Sequence, residues 1–437
     1  MSAGGAAYAG LTSALEILAV PFSLRARARG GDRAARFGYG DARGATWIHA
    51  ASVGEVTAAV PLLRLIAERR PAEDRLVSAG TPGGLAAWRR ELERCAPGGA
   101  PVTVTAWPLD FPAAVRRAFA RRAPRRLLIV ETELWPNALA EALHRGVRVA
   151  FANGRLSDRA WGRTRLMAPV LRPLLARVSA CATQGDIDRE RWAELGVPRE
   201  ALAVTGNTKY DQLAVAPHAR ERAEARAAAG LDEAATVVAF GSLRPGEEGA
   251  LAALARGLAH WSRSTARPVA LVAVPRHPAR AAALAAALGR AGVPVAEWHP
   301  GRPWPFPTGA PGEALGVAWV PRLGVLREVY ALSDVAVVGG TFAPWGGHNA
   351  AEPAALGLPV VVGPHHAATR DVVQALVARD AGRVAADGAA AVEAIAHWQA
   401  TPASRARAGE AARGAVQGLA GASARTLGFL EARGFWG

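Results

Sequence analysis

The chain has 437 residues, 51% of them hydrophobic and 20% charged, enough to bury two cores rather than one. A formal charge of +15 points to anionic partners, while two cysteines, Cys95 and Cys181, exclude a disulfide scaffold or a cysteine–zinc site and fit a reducing cytoplasm. Lys209 is the only lysine among 52 basic residues, and no zinc finger, RNP-type aromatic motif or basic–aromatic alternation accompanies the charge, so nucleic acid is not an expected partner. The first distinctive segment, residues 6–24, is largely apolar but carries Ser13, Glu16 and Pro21, and Arg25, Arg27 and Arg29 follow it. A secretory signal would place its charges first, and this length is marginal for a span. The expectation is a helix lying on, or shallowly inserted in, the cytoplasmic side of a membrane, with an ordinary core helix as the plain alternative. If it is peripheral to both cores, removing residues 1–29 should leave each domain folded.

Short apolar strands then alternate with helices. Residues 47–51 read as a buried strand, Ser52-Val53-Gly54-Glu55 as a turn, and the run to Arg70 as an amphipathic helix. Further strands are expected at residues 75–79, 127–130 and 148–152, and each ends in a polar cluster. This alternation predicts an open, doubly wound α/β domain whose ligands sit beyond the carboxyl ends of the strands. An Ala/Arg/Glu-rich connection follows, and a second strand–helix series starts near residue 236. The expected division is a membrane-associated helix over 1–30, a Rossmann-like domain over 31–212, a linker over 213–235, and a second Rossmann-like domain with terminal helices over 236–437.

The polar clusters carry the chemistry. Ser52-x-x-Glu55 has the form of a helix capping box. Glu131-Thr-Glu133-Leu-Trp-Pro-Asn137 puts two carboxylates on one extended segment, where like charges raise a pKa. Asn153-Gly-Arg155-Leu-Ser ends the next strand, and Arg155 has the geometry to grip a carboxylate or phosphate. Gly206-Asn-Thr-Lys209-Tyr-Asp holds the sole lysine. In the second half, Gly241-Ser242-Leu243-Arg244-Pro-Gly-Glu-Glu and Pro275-Arg276-His277-Pro both direct donors to strand ends. Gly339-Gly340-Thr341 and Gly346-Gly347-His348-Asn349-x-x-Glu352 form a strand–glycine loop–helix unit. Its backbone N–H groups and helix start suit a phosphate, and Glu352 suits a ribose diol unless it only completes a cap with Asn349.

Taken whole, these strings resemble bacterial Kdo transferases, which move 3-deoxy-D-manno-octulosonic acid (Kdo) from CMP onto a lipid A precursor. The resemblance runs in consistent order over roughly residues 5–375. It implies a glycosyltransferase B fold, with two Rossmann-like domains facing across a cleft, and an inverting transfer from CMP-Kdo, the donor substrate, with no cofactor. By the same resemblance Glu55 is the general base, Glu131 and Glu133 belong to the catalytic group, and Ser52, Gly54, Asn153, Arg155 and Lys209 bind acceptor or Kdo. Ser242, Arg244, Arg276, His277, Gly340, Thr341, Gly347, His348, Asn349 and Glu352 fall to the nucleotide. The implied partners are CMP-Kdo, the lipid A precursor and the cytoplasmic face of the inner membrane. The chain departs from the family pattern at Leu243-Arg244, where Thr-His is usual, at Val325, where a glutamate is usual, and at Ala368-Thr369, where Asn-Phe is usual. Another nucleotide-sugar enzyme of this fold, an epimerase included, and a silent lipid A-binding relative are the alternatives. Asp186-Ile-Asp188 has the form used by metal-dependent transferases but opens a helical run, so capping is expected there and no metal. The helix start below Glu55 is expected to favour its charged form and weaken it as a base.

Overall fold

The computed structural model describes residues 3–94, 100–213, 219–307 and 313–437; Cys95 and part of the 213–235 connection lie outside them. The chain divides into two compact units, one of Met1–Gln212 with Ala420–Gly437, the other of Leu213–Leu419.

The first unit is built on seven parallel strands: β1 (Thr46–His49), β2 (Arg75–Ala79), β3 (Val102–Ala106), β4 (Arg126–Val130), β5 (Arg148–Gly154), β6 (Ala180–Thr183) and β7 (Leu202–Val204). Their order is β3-β2-β1-β4-β5-β6-β7. The central strands are buried on both faces, which is why they read as continuous apolar runs rather than alternating ones. From β1 the chain winds outward to β3, then returns to the other side of β1 as β4, pairing Thr46 with Arg126 and His49 with Ile129. Reversal of direction between β1 and β4 leaves a crevice at their carboxyl ends. The second unit repeats this plan with β8 (Thr236–Leu243), β9 (Val269–Pro275), β10 (Val295–Glu297), β11 (Val317–Trp319), β12 (Val335–Val338), β13 (Val360–Val362) and β14 (Gly382–Val384). The order β10-β11-β9-β8-β12-β13-β14 puts its reversal between β8 and β12.

Two features differ from the sequence-based expectation. The last helix, Ala422–Ala432, belongs to the first unit, not to the second. Its Leu427 and Leu430, with Phe435 and Trp436, complete the apolar cluster around Ile48, Val77 and Leu128. Asp211 anchors its start, accepting the amides of Gly421 at 2.6 Å, Ala422 at 3.2 Å and Ser423 at 2.7 Å. The N-terminal segment is likewise less detached than its composition suggests. It forms α1 (Ala3–Leu18) and α2 (Val20–Arg29), bent 64° apart at Ala19. Among the described residues no single helix is long and apolar enough to cross a membrane; this bent pair passes by length and composition only. One side of α1 is bonded into the first unit. Tyr8 donates to Asp110 at 3.0 Å, and Glu16 accepts the amides of Ala113 and Ala114 at 2.8 and 2.9 Å. The bonds to Ala113 and Ala114 cap helix Pro112–Arg122, whose own N-cap residue, Phe111, offers no side-chain bond. The other side is bare: Leu11, Leu15, Ile17 and Leu18 on α1, and Val20, Phe22 and Leu24 on α2, are all largely exposed. Deleting residues 1–29 therefore removes a cap as well as an apolar face.

Asp211→Ala should cost about 1–2 kcal/mol, the scale of a lost cap. Hydrogen exchange over residues 422–437 should accelerate while the second unit is unaffected. Unchanged exchange there would show that apolar packing alone holds the last helix.

Candidate active site

In the first unit, the ends of β1 and β4 bring the carboxylates together. Ser52 sits in extended conformation at the start of helix Val53–Arg69, and Glu55 folds back over it. The Ser52 hydroxyl donates to Glu55 Oε1 at 2.9 Å, and the Ala51 amide donates to Oε2 at 2.8 Å. Half of the capping box thus forms, Ser52 Oγ accepting the Glu55 amide at 3.4 Å while Glu55 takes the Ala51 amide and not that of Ser52, and the electrostatic effect is the reverse of the expectation. Burial raises the Glu55 carboxyl to about 7; the Ala51 bond opposes this, the Glu133 and Glu131 charges add to it, and the Ser52 bond opposes it. Withdrawal from water outweighs the helix start, so Glu55 is a stronger base than the cap alone would make it.

Glu131 and Glu133 do not share one extended face. Strand β4 stops at Val130, and Glu131 adopts a left-handed backbone with φ of 62°, its amide donating to Ala152 O at 2.9 Å. That turn separates the two carboxylates and gives them different partners. Glu131 takes the Lys209 amine at 2.6 Å, while Glu133 Oε2 takes the Trp135 indole N–H at 2.7 Å. On its buried side Glu133 faces His49, with Nε2 to Oε2 at 3.8 Å. Asn153, at the neighbouring strand end, is also left-handed at φ 56° and fully buried. Its Oδ1 accepts the Thr208 amide at 3.0 Å, which fixes the turn carrying Lys209, and its Nδ2 has no hydrogen-bond partner. Two strained non-glycine residues on adjacent strand ends are the kind of backbone that clusters at functional sites. Gly54 lies beside the lysine: a methyl group there would sit 4.0 Å from Nζ, an ordinary contact. Arg155 is half-buried next to this group, its carbonyl accepting the Thr132 hydroxyl.

The second unit gathers its residues between β8 and β12. Arg244 Nε donates to His348 Nε2 at 3.0 Å, and its guanidinium lies 4.7 Å from the centre of the Trp345 ring. Burial lowers His348 to about 4, helped by the charges of Arg244, Arg276 and His277, so its ring is neutral and carries its proton on Nδ1. Arg276 and His277 are exposed at the end of β9. Ser242 has a left-handed backbone at φ 60°.

The glycine loop corrects the sequence reading. In its first half the amides of Gly340, Thr341 and Phe342 are not open to a phosphate, because the fully buried carboxylate of Glu247 holds them. Oε2 accepts Gly340 N at 2.8 Å and Arg244 N at 2.8 Å; Oε1 accepts Thr341 N at 3.0 Å and Phe342 N at 2.9 Å. Gly340 and Thr341 therefore shape the loop through their backbone. Thr341 Oγ accepts Gly363 N at 2.7 Å, and Gly347 N donates to Gly340 O at 2.7 Å. Nor does an Asn349–Glu352 capping box form. The helix begins only at Ala351 and is five residues long; Asn349 accepts from Ala351 N at 3.0 Å and donates to Glu352 at 3.0 Å. So short a helix presents little dipole.

Of the departures from the family pattern, Leu243, Val325 and Thr369 are buried and bear on packing beneath the loops, whereas Ala368 is exposed and Arg244, bonded to His348, is itself a donor on the loop. Asp186 pairs with Arg189, and Asp188 accepts the Leu156 amide at 2.7 Å across to the loop after β5, while Gly185 is the cap residue. Among the described residues no cluster of three or more His, Cys, Asp or Glu could hold a metal. Two residues had no assigned role from sequence: His49, hidden in an apolar strand, and Glu247, whose signal was an acidic pair following a strand-end glycine turn.

The 3-deoxy-D-manno-octulosonic-acid transferase (kdotransferase) family matches residues 31–212. The chain is 36% identical over 417 residues to the 3-deoxy-D-manno-octulosonic acid transferase of Bordetella pertussis, spanning 93% of this chain and 94% of that one. To the Haemophilus influenzae transferase of the same name it is 31% identical over 319 residues, 73% and 70% of the two chains. A glycosyltransferase from Rickettsia africae ESF-5 superposes with a TM-score of 0.58 at 9% identity, covering 90% of this chain and 98% of the other. The UDP-GlcNAc 2-epimerase of Neisseria meningitidis gives 0.55 at 13% identity, covering 89% and 99%. At such identities these two show the fold alone, and it is the glycosyltransferase B class expected from the motifs. With the Bordetella identity sustained along nearly the full length of both chains, this chain belongs to the 3-deoxy-D-manno-octulosonic-acid transferase family.

Proposed function

We propose that the chain is an inverting glycosyltransferase that moves Kdo from CMP-Kdo to a lipid A precursor at the cytoplasmic face of the inner membrane. The first unit takes the acceptor and the second takes CMP. The observation that carries this is Glu55, a recessed carboxylate raised to about 7 beside two further carboxylates. Transfer needs a proton removed from a sugar hydroxyl as it attacks the anomeric carbon, and a base titrating near working pH suits that task. Both Glu55 oxygens already accept one hydrogen bond, and each keeps a lone pair for the acceptor hydroxyl. Lys209, bonded to Glu131, and Arg155 supply positive charge for an anionic sugar. On the donor side Arg244, Arg276 and the His348 Nδ1–H are donors suited to the leaving phosphate, a task arginines can perform without a metal. The exposed apolar face of α1 and α2, ending in Arg27 and Arg29, suits an anionic bilayer surface.

Glu55→Gln should stay folded and lower turnover by at least about 100-fold, assayed in EDTA. Near-normal turnover would return Glu55 to a cap and move the search to Glu131 and Glu133; a need for added magnesium would overturn the metal-free reading. The pH sign also follows. A carboxyl raised from 4.5 to about 7 binds more protons folded than unfolded between those values, so it makes stability fall as pH rises across that window. Glu55→Gln should flatten that fall and melt higher than the parent at pH 8. An unaltered melting profile would place Glu55 at an ordinary carboxylate pKa.

Glu247→Gln leaves one acceptor oxygen for four amides, so the glycine loop should lose its shape. CMP affinity should drop by about tenfold or more, the scale of one or two lost charge-assisted bonds. Equal affinity by calorimetry would separate that loop from the nucleotide. Leu15→Asp with Phe22→Asp should abolish cosedimentation with anionic liposomes while turnover on a detergent-dispersed acceptor persists. Undiminished cosedimentation would remove α1 and α2 as the membrane face.

A further inference from the structure

His49 is fully buried at the end of β1, stacked on Trp107 with ring centres 4.0 Å apart and planes 22° from parallel. Its Nδ1 lies 3.0 Å from the Ser78 hydroxyl, which also accepts the Trp47 indole N–H at 2.8 Å. The tautomer follows from counting hydrogens. Ser78 has one hydroxyl hydrogen, and among the described residues His49 Nδ1 is the acceptor within its reach. If Nδ1 carried a proton instead, that hydroxyl hydrogen would be stranded in a buried site. The Ser78 hydroxyl therefore donates to Nδ1, and the ring proton sits on Nε2. Burial lowers the affinity of the ring for a second proton and outweighs the opposing pull of Glu133 and of the Ser78 backbone, with the Arg36 charge adding a little to the lowering, so His49 is neutral.

This Nε2–H is a buried donor without a hydrogen-bond partner. It points at Glu133 Oε2 from 3.8 Å, beyond a hydrogen bond but close enough that a small carboxylate movement would make one. The same oxygen is held on its other side by Trp135, which is 37% exposed. Glu133 thus stands between two donors: an exposed indole that holds it outward, and a buried imidazole, fixed by Ser78 and Trp107, that has nothing else to bond. A buried N–H left idle costs stability unless some state of the protein uses it.

We propose that His49 is a positioning residue that draws Glu133 inward, exchanging its Trp135 bond for one to His49 Nε2 when acceptor occupies the first unit. The inward position frees Trp135 to lie against the acceptor and turns the other Glu133 oxygen to its hydroxyls. This rests on reading the first unit as the acceptor site.

The test compares the full-length His49→Phe, His49→Gln and Glu133→Gln variants in Kdo transfer from CMP-Kdo to lipid A precursor, with ¹⁵N-histidine spectra of the parent. Phenylalanine keeps the stack on Trp107 without the donor, and glutamine places an N–H near Nε2. His49→Phe should lower kcat about tenfold or more with an unchanged KM for CMP-Kdo, the scale of a lost bond to a charged group. His49→Gln should recover most of that loss at a similar melting temperature. In the spectra, the resonances lost in His49→Gln should show Nδ1 unprotonated and Nε2 protonated. Equal losses in both His49 variants, a normal kcat in His49→Phe beside an impaired Glu133→Gln, or the opposite tautomer would each overturn the proposal. Full activity in Glu133→Gln would instead overturn the acceptor-site reading beneath it.

Discussion

Backbone amides at strand ends and helix starts have no partner within their own element, and in this protein carboxylates take them. Glu247 holds four such amides in the second unit, and Asp211 holds three at the start of the last helix. Asp110 takes Asn137 and Ala138, Glu16 takes Ala113 and Ala114, and Asp334 takes Val237. Charge-assisted bonds of this kind are roughly twice as strong as neutral ones and are directional. They set the paths of the loops at the strand ends, and the candidate site residues are those loops. Glu16 and Asp334 combine this role with arginine pairing, to Arg117 and to Arg222 and Arg226.

Of the three carboxylates at the β1–β4 reversal, only Glu55 takes a backbone amide, that of Ala51. Glu55 is bonded within its own turn, Glu131 has one amine, and Glu133 has one indole. Keeping three acids close in a recessed site costs free energy, and the cost is visible as the raised proton affinity of Glu55. The sole lysine is intelligible here. An ammonium is a compact point charge, and it reaches Glu131 at 2.6 Å. An arginine-rich composition that retains a lysine only at this point marks a site where the two cations are not interchangeable.

Much of the architecture was legible in the sequence because parallel strands buried on both faces leave uninterrupted apolar runs; residues 75–79 match a strand to the residue. The strand ends were less legible. Asn153 and Ser242 extend β5 and β8 in left-handed conformations; asparagine is a residue type that adopts a positive φ readily, serine is not. The clustering of Glu55, Glu131 and Lys209 followed from motif strings, whereas the separation of Glu131 from Glu133 depended on one dihedral. Glu247 was hidden for a different reason. A glycine loop beside a strand looks the same whether its amides await a phosphate or already hold a carboxylate some ninety positions upstream. The last helix went to the wrong unit because its apolar stripe says that it must be buried, not against which core.

The attachment of α1 sets a length scale. Tyr8 bonds Asp110, Asp110 takes the amides of Asn137 and Ala138, and the Asn137 side chain donates to Thr12 at 2.9 Å. Asn137 closes the same seven-residue string that begins at Glu131. The bare face of α1 and the acidic group are therefore joined by a continuous chain of hydrogen bonds within the first unit. Whatever surface α1 rests on, these bonds set the separation of the carboxylates from it. On the proposed reading of α1 as the membrane face, an acceptor anchored in that surface would have to carry its reactive hydroxyl across that separation with its own headgroup.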